Sequence, residues 1–283
     1  MSLPRIRPER PGDEARSAKP SKLNGLVLVD KPAGPSSFDI VKRLRGRYGV
    51  KAGHAGTLDP QASGLLLCLL GPSTRLARYL VGLDKRYSTE MRLGLRTTTG
   101  DGEGVVLEET EIASRDEIEA LEGEIELVVP RASAVKIEGE RAYKLHRRGV
   151  AVEMPRRRST VHALQVRRYE PPLAELDLHV SSGTYVRAIA DALGGHCRTI
   201  RRTAIGPFRV EDADEGRVLL PLAALVHLPE RRLSDEELAL VRTGRAVKGG
   251  GEGAVALWDE TGLVAVGQAG GGVIRPETVL PPA

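Results

Sequence analysis

Apolar and polar residues follow two different rhythms along the chain, which predict a protein built from both strands and helices. Short runs of apolar and β-branched residues, and runs that alternate apolar with polar residues, are typical of β-strands. In other segments the apolar residues recur every three or four positions, as in an amphipathic helix. The predicted strands cover residues 23–29, 65–70, 84–94, 161–169 and 174–180, with a further strand that begins at Thr199. The predicted helices cover 37–44, 73–81, 114–122 and 184–193.

The pattern changes near Leu228 and Pro229. Beyond this point, a capped helix from Ser234 to Val241 precedes glycine-rich short strands at 254–258, 263–267 and 272–276. This arrangement predicts a small β-rich unit, which is either a module of its own or a β-cap that packs on the main domain. We therefore predict an arm at 1–22, a main domain at 23–228 and a small domain at 233–283.

Residues 1–22 contain four prolines and six basic residues with almost no apolar periodicity, which predicts a disordered, net-positive arm. The whole chain of 283 residues has a net charge of +4 and a pI of about 9.1. Arginine, whose forked donors suit phosphate, is concentrated in short clusters. Charge alone leaves two alternatives open, a nucleic-acid surface and an ordinary solvated face. The clusters lie at 42–47, 147–148, 156–158, 167–168 and 198–202.

Bulk features exclude several classes of protein. No apolar run is long enough to cross a membrane, and the N-terminus is charged and proline-rich, unlike a signal peptide. We therefore expect a cytoplasmic protein. Cys68 and Cys197 form neither a disulfide framework nor a metal-ligand spacing.

One loop carries the residue best suited to chemistry. In Gly53–Gly64 (GHAGTLDPQASG), Asp59 lies between glycines and Pro60, directly before the predicted strand at 65–70. Glycine and proline hold backbone conformations that let a ligand approach closely, but an isolated Asp-Pro more often caps a turn. The whole string, however, resembles the active-site loop of the bacterial tRNA pseudouridine synthases that modify position 55 in the T-loop. This resemblance implies that Asp59 is the catalytic nucleophile.

Three more segments resemble the same family in the same order. The turn that begins at Lys31 (KPAGPSS) resembles its first motif, which shapes the wall of the active site. Residues 130–149 resemble the next motif, although Ala132 stands where the family often has tyrosine. The string Gly-Thr-Tyr-Val-Arg, which ends at Arg187, resembles the third. The resemblance covers residues 23–228 and implies an α+β fold with a mixed, largely antiparallel sheet flanked by helices. Residues 233–283 resemble the small RNA-binding barrel, of the PUA type, that is often fused to such enzymes.

The resemblance also assigns roles to individual side chains. Arg187 pairs with Asp59 and keeps it ionised and oriented; the alternative is a surface arginine, which the start of a helix disfavours. Tyr87 is implied to be catalytic, stacking on the target uracil with its hydroxyl near the sugar; the alternative is a half-buried strand tyrosine.

Four further residues are predicted to bind substrate by the same resemblance. His54 stacks within the T-loop, unless it makes only local hydrogen bonds. Tyr185 and Ile200 line the base pocket, although Ile200 fits the core almost equally well. Lys31 is predicted to contact substrate from the first motif. Asp101, in the polar loop at 97–104, lacks the second carboxylate that metal chemistry needs, and we interpret it as structural.

The implied reaction breaks the N1–C1′ bond of a uridine, turns the uracil and joins C5 to C1′. It involves no redox change or phosphate transfer, so we expect no cofactor and no metal. A uridine in a folded loop must be extruded to reach the pocket. The expected substrate is the T-arm of tRNA, bound by a monomer with no obligate protein partner.

Three alternatives remain beside this interpretation of the sequence. One is the guide-RNA-dependent pseudouridine synthase of archaea and eukaryotes, and another is a tRNA-binding or tRNA-folding protein with little catalysis. The third is a glycoside-cleaving enzyme that uses Asp59, which is disfavoured because the sequence offers no candidate for the second carboxylate.

Overall fold

The computed structural model describes residues 23–133, 135–150 and 152–282, so the predicted arm at 1–22 lies outside the described residues. The strands are β1 (Gly25–Lys31), β2 (Ala52–His54), β3 (Ser63–Leu70), β4 (Lys85–Arg92), β5 (Leu95–Thr97), β6 (Val106–Glu109), β7 (Gly123–Val128), β8 (Lys136–Ile137), β9 (Glu140–Arg141), β10 (Arg156–Glu170), β11 (Leu173–Val180), β12 (His196–Ile205), β13 (Phe208–Arg209), β14 (Glu230–Arg232), β15 (Val247–Lys248), β16 (Gly253–Asp259), β17 (Gly262–Gly270) and β18 (Val273–Val279). The α-helices are α1 (Ser37–Tyr48), α2 (Ala77–Val81), α3 (Arg115–Glu119), α4 (Ala142–Arg147), α5 (Val186–Ala192) and α6 (Asp235–Arg242).

The main sheet follows the order β1-β3-β12-β4-β11-β10-β7, with β2 paired to β3 and β13 paired to β12. Neighbouring strands are antiparallel except for β3 and β12, which run parallel. The apolar run 65–70 becomes β3, which is buried from Gly64 onward because elements cover both of its faces. The predicted α+β fold with a mixed, largely antiparallel sheet is confirmed.

Local sequence signals set the helix that follows the first strand. Ser36 caps α1 through a capping box with Asp39, and Gly49 ends the helix in the left-handed conformation. The predicted helix at 73–81 is instead a 3-10 helix (Gly71–Leu76) that continues as the five-residue α2. Among the described residues, none of the helices combines the length and the apolar character needed to cross a membrane.

The C-terminal strands form a second sheet in the order β14-β16-β17-β18-β15, a curled half-barrel. This sheet packs directly on the main domain, since Ala256, Val266 and Leu280 share one apolar cluster with Leu26 and Leu65. The shared cluster shows that the two parts are in contact. The division into domains 23–228 and 233–283 stays a prediction.

Candidate active site

The loop that carries Asp59 connects β2 to β3, and donors from earlier parts of the chain fix its backbone. The hydroxyl of Ser37, the first residue of α1, donates to the carbonyl of Leu58 and accepts from its N–H, both at 2.8 Å. The Gly34 N–H donates to the Pro60 carbonyl at 2.8 Å. These bonds hold the residues on either side of Asp59, so the position of its carboxylate does not depend on the loop alone.

Asp59 and Arg187 form an ion pair at the surface of this loop. Nε of Arg187 donates to Oδ2 of Asp59 at 3.0 Å, and Nη2 lies 2.8 Å from the same oxygen. The Asp59 side chain is 36% exposed, whereas that of Arg187 is only 3% exposed. Among the described residues, no donor bonds to Oδ1. One carboxylate oxygen is therefore anchored from beneath, while the other remains available to a ligand.

Two backbone carbonyls fix the guanidinium of Arg187 from the other side. Its Nη1 donates to the carbonyl of Thr99 at 2.6 Å, and Nη2 also donates to the carbonyl of Ala132 at 2.9 Å. The contact at position 132 comes from the main chain, so the alanine at this place retains it. Arg187 lies in the first turn of α5, where the helix dipole disfavours a cation. The carbonyls and the carboxylate compensate for this placement.

Asp101, which the sequence led us to interpret as structural, lies beside the same arginine. Its Oδ2 is 3.8 Å from Nη1 of Arg187, and the side chain is buried. It accepts hydrogen bonds from Gln61 Nε2 at 2.6 Å, from Thr99 Oγ1 at 2.5 Å and from the Glu103 N–H at 3.1 Å. Arg187 is thus flanked by two carboxylates, and only that of Asp59 is open to solvent.

The predicted pocket residues gather next to the loop. Tyr87 and Ile200 are buried in one apolar cluster that also contains Leu58 and Ala62, and Tyr185 packs against it half-buried. Residues from β12 and from the loop around Asp101 border a cavity of about 230 Å³ beside this cluster. The residues that line it are Gln61, Asp101, Gly102, Glu103, Cys197, Arg198, Thr199 and Ile200.

His54 ends β2 and is half-buried just before the loop. Its Nδ1 is buried without a hydrogen-bond partner among the described residues. Burial, with a smaller effect from the positive charge of Arg202, lowers the pKa of His54 below its ordinary value of 6.5. The imidazole is therefore neutral at pH 7, and it presents an uncharged ring near the loop.

Lys31, predicted to contact substrate, lies behind the loop instead. Its side chain is fully buried, and Nζ donates to the carbonyls of Pro32, Pro35 and Pro60 at 2.9, 2.8 and 3.1 Å. All three donors are used, so none remains for a ligand. Burial lowers the pKa of Lys31, an effect that the nearby charge of Asp59 opposes. In this structure Lys31 supports the wall of the site and does not reach its surface.

Neither thiol competes with Asp59 as a nucleophile, because burial raises the pKa of both Cys68 and Cys197 to about 12. Within the part of the chain that the structure describes, no group of three or more His, Cys, Asp or Glu side chains is arranged to hold a metal ion.

Comparison with solved structures identifies the fold. A chain of a Cbf5–Nop10–Gar1 complex matches with a TM-score of 0.69 at 27% sequence identity, over 91% of this chain and 85% of that one. A chain of an H/ACA ribonucleoprotein bound to a substrate RNA containing 2′-deoxyuridine matches with a TM-score of 0.67 at 24% identity, with the same coverage. The α+β architecture described above is therefore shared with these proteins.

Comparison with known sequences identifies the family. The family model described as "TruB family pseudouridylate synthase (N terminal domain)" matches residues 42–186. The tRNA pseudouridine synthase B of Arthrobacter sp. strain FB24 is 38% identical over 92% of this chain and 98% of its own length. That of Thermobifida fusca strain YX is 42% identical over 85% of this chain and 92% of its own length. The chain belongs to the TruB family of pseudouridylate synthases, and the resemblance noted in the sequence is confirmed.

Proposed function

We propose that this protein is a tRNA pseudouridine synthase that isomerises uridine 55 in the T-loop, with Asp59 as the nucleophile. The relatives named above support the substrate class. They are tRNA pseudouridine synthases, and they match this chain over most of the length of both proteins. The T-loop position is what the resemblance of the motifs around Asp59 and Arg187 implies.

The observation that carries the proposal is the asymmetric contact of the Asp59 carboxylate. Both contacts of the buried guanidinium are to Oδ2, no donor of the described residues bonds to Oδ1, and the side chain is 36% exposed. A carboxylate held in this way is oriented before substrate arrives, as a covalent nucleophile requires. Arg187 stabilises it from within the protein and leaves the outer side to the RNA.

In the proposed reaction, the uridine is flipped out of the T-loop into the space beside Asp59. Tyr87 and Tyr185 offer aromatic faces to the uracil, while Ile200 closes the pocket and His54 stacks within the loop of the RNA. The N1–C1′ bond breaks and a C5–C1′ bond forms. The proton leaves C5 and N1 gains one, so the atoms balance without redox change, metal or cofactor.

We also propose that the half-barrel at 233–283 is a PUA-like module that binds RNA outside the T-loop. The purified protein is expected to act as a monomer on bare tRNA, in the cytoplasm and without a protein partner. The arm at 1–22 is proposed to add non-specific attraction to phosphate.

The test uses a tRNA transcript labelled with tritium at C5 of uridine, because closure of the C5–C1′ bond releases that hydrogen. The wild-type chain alone should release tritium from position 55. Asp59→Asn should release none while it retains tRNA affinity, since this change removes the charge and nearly preserves the shape. Release that requires an added guide RNA would instead favour the guide-dependent alternative. Binding without release by the wild type would favour a tRNA-binding protein.

A further inference from the structure

Arg202 is a buried arginine on β12 that lies beneath the loop of Asp59. Its side chain is among the largest in the protein with less than 2% exposure, and no carboxylate of the described residues forms an ion pair with it. Arginine is rarely buried without a partner, because removing its charge from water is costly. Its partners must therefore compensate for burial in another way.

The partners of Arg202 are three backbone carbonyls, and they belong to the two ends of the catalytic loop. Nη2 donates to Gly56 at 3.1 Å and Nη1 to Thr57 at 3.2 Å, both before Asp59. Nε donates to Leu65 at 2.8 Å, after the loop has entered β3. One planar guanidinium thus bridges both ends of the loop, with Asp59 between them.

The position of Arg202 also links the loop to the proposed base pocket. In the sheet, Arg202 pairs in register with Gly64 of β3 on one side and with Tyr87 of β4 on the other. A Cβ atom at Gly64 would lie 2.2 Å from the Arg202 carbonyl oxygen, so only glycine permits the two strands to approach this closely. Ile200 precedes Arg202 by two residues on the same strand. The loop, Tyr87 and Ile200 are therefore fixed relative to one another through this part of β12.

We propose that Arg202 is a positioning residue for the isomerisation. It sets the position and orientation of Asp59 through the carbonyls of Gly56, Thr57 and Leu65. Its function requires the fork of the guanidinium, since donors in three directions from one rigid plane are needed to reach both ends of the loop. Arg202 itself touches no substrate. The inference rests on the proposed function and adds a residue that acts through Asp59.

The test compares Arg202→Met and Arg202→Lys with the wild type, and uses Ile118→Ala as a control for stability. Ile118 is fully buried on α3 in the same apolar cluster as Tyr87, so its replacement destabilises that cluster but leaves every hydrogen-bond donor to the loop in place. For each variant, kcat and KM for tritium release, tRNA affinity and the melting temperature are measured, with kinetics recorded well below the melting transition.

We expect kcat of Arg202→Met to fall about 100-fold while KM and tRNA affinity stay within about twofold, because a displacement of about 1 Å in a reacting group has an effect of this size. Arg202→Lys should lie between the wild type and Arg202→Met, since it keeps the charge without the fork. Ile118→Ala should melt at a lower temperature with an unchanged kcat.

Two results would overturn the inference while the wild type remains active. One is an unchanged kcat in Arg202→Met, and the other is a decrease in kcat that Ile118→Ala reproduces at an equal loss of melting temperature. Absence of tritium release by the wild type would instead refute the proposed function. The two failures are therefore distinguishable.

Discussion

Replacement of Arg187 by methionine tests the central ion pair, because methionine keeps most of the apolar stem and removes the guanidinium. The variant loses the hydrogen bond from Nε to Asp59 Oδ2, the ion-pair contact of Nη2 with the same oxygen, and the donors to the carbonyls of Thr99 and Ala132. It also removes the cation that lies 3.8 Å from the buried Asp101. The change therefore leaves two carboxylates and two carbonyls without their common partner.

The size of the effect follows from the burial of each group. Removing one partner of a buried ion pair destabilises a protein by about 3–5 kcal/mol. Asp59 is 36% exposed, so water solvates part of its charge and the loss falls near the lower end. A loss of about 3 kcal/mol in a protein of this size lowers the melting temperature by roughly 6–12 °C. The loss of oriented electrostatic stabilisation should reduce turnover by about 100- to 1000-fold.

The assay is single-turnover tritium release from a tRNA transcript, recorded beside a thermal melt. Arg187→Lys should give intermediate turnover, because it keeps the charge but not the planar fork. Arg96→Met is the matched control. Arg96, on β5, forms a bidentate ion pair with Asp191, which lies on α5 as Arg187 does, but Arg96 does not contact Asp59. Its turnover should be normal. Near-normal turnover by a folded Arg187→Met variant would refute the reasoning, because the pair would then have no part in the reaction.

Three further predictions concern Asp101, His54 and the C-terminal half-barrel. Asp101→Asn should lower the free energy of unfolding by about 1–3 kcal/mol and slow tritium release. The amide NH2 of asparagine would face one of the donors that now bond to the carboxylate, and two donors cannot bond to each other. An unchanged urea midpoint would contradict this. The pKa of His54 is lowered in the folded protein, so as the pH falls this residue is protonated in the unfolded chain before it is protonated in the folded one. Stability should therefore be lost as the pH falls below about 6.5. Between pH 7 and pH 5 the urea midpoint of His54→Gln should decrease less than that of the wild type. An identical decrease would exclude His54 as a source of the pH dependence. A chain that ends at Leu228 should melt at a lower temperature and bind an apolar dye, since Ala256, Val266 and Leu280 no longer cover the shared cluster. An unchanged melt would show that the main domain is independent of the half-barrel.

The fold was predictable where apolar residues recur with a regular spacing or form an unbroken run along the chain. The alternation in 84–94 became β4, with its buried face at Tyr87, and the apolar run at 65–70 became the buried β3. Boundaries were less well predicted, because they depend on local turns. The strand expected from Thr199 begins at His196, where pairing with Arg92 of β4 extends it.

The candidate site was predictable only where several residues form one motif. Asp59 and Arg187 lie in separate motifs, and the structure brings them together as the resemblance implied. Lys31, Asp101 and Arg202 could not be placed from sequence, because their partners are mainly backbone carbonyls or residues distant in sequence, and any residue type supplies a carbonyl. Arg202 follows the two-residue spacing of Ile200 and Ala204, which are buried on β12, and a charged residue at such a position is the one signal that was available.

The loop of Asp59 combines two requirements that usually conflict. It must be open enough for a nucleotide to reach the carboxylate, and rigid enough to hold that carboxylate in place before the nucleotide arrives. Glycine and proline satisfy the first requirement but supply no packing side chains. The second is met from below, where Lys31, Ser37 and Arg202, on three different elements, bind the carbonyls next to Asp59. Because these donors are buried, their bonds do not compete with water, and RNA can occupy the outer side without displacing them. Rigidity and access thus come from opposite faces of the same backbone.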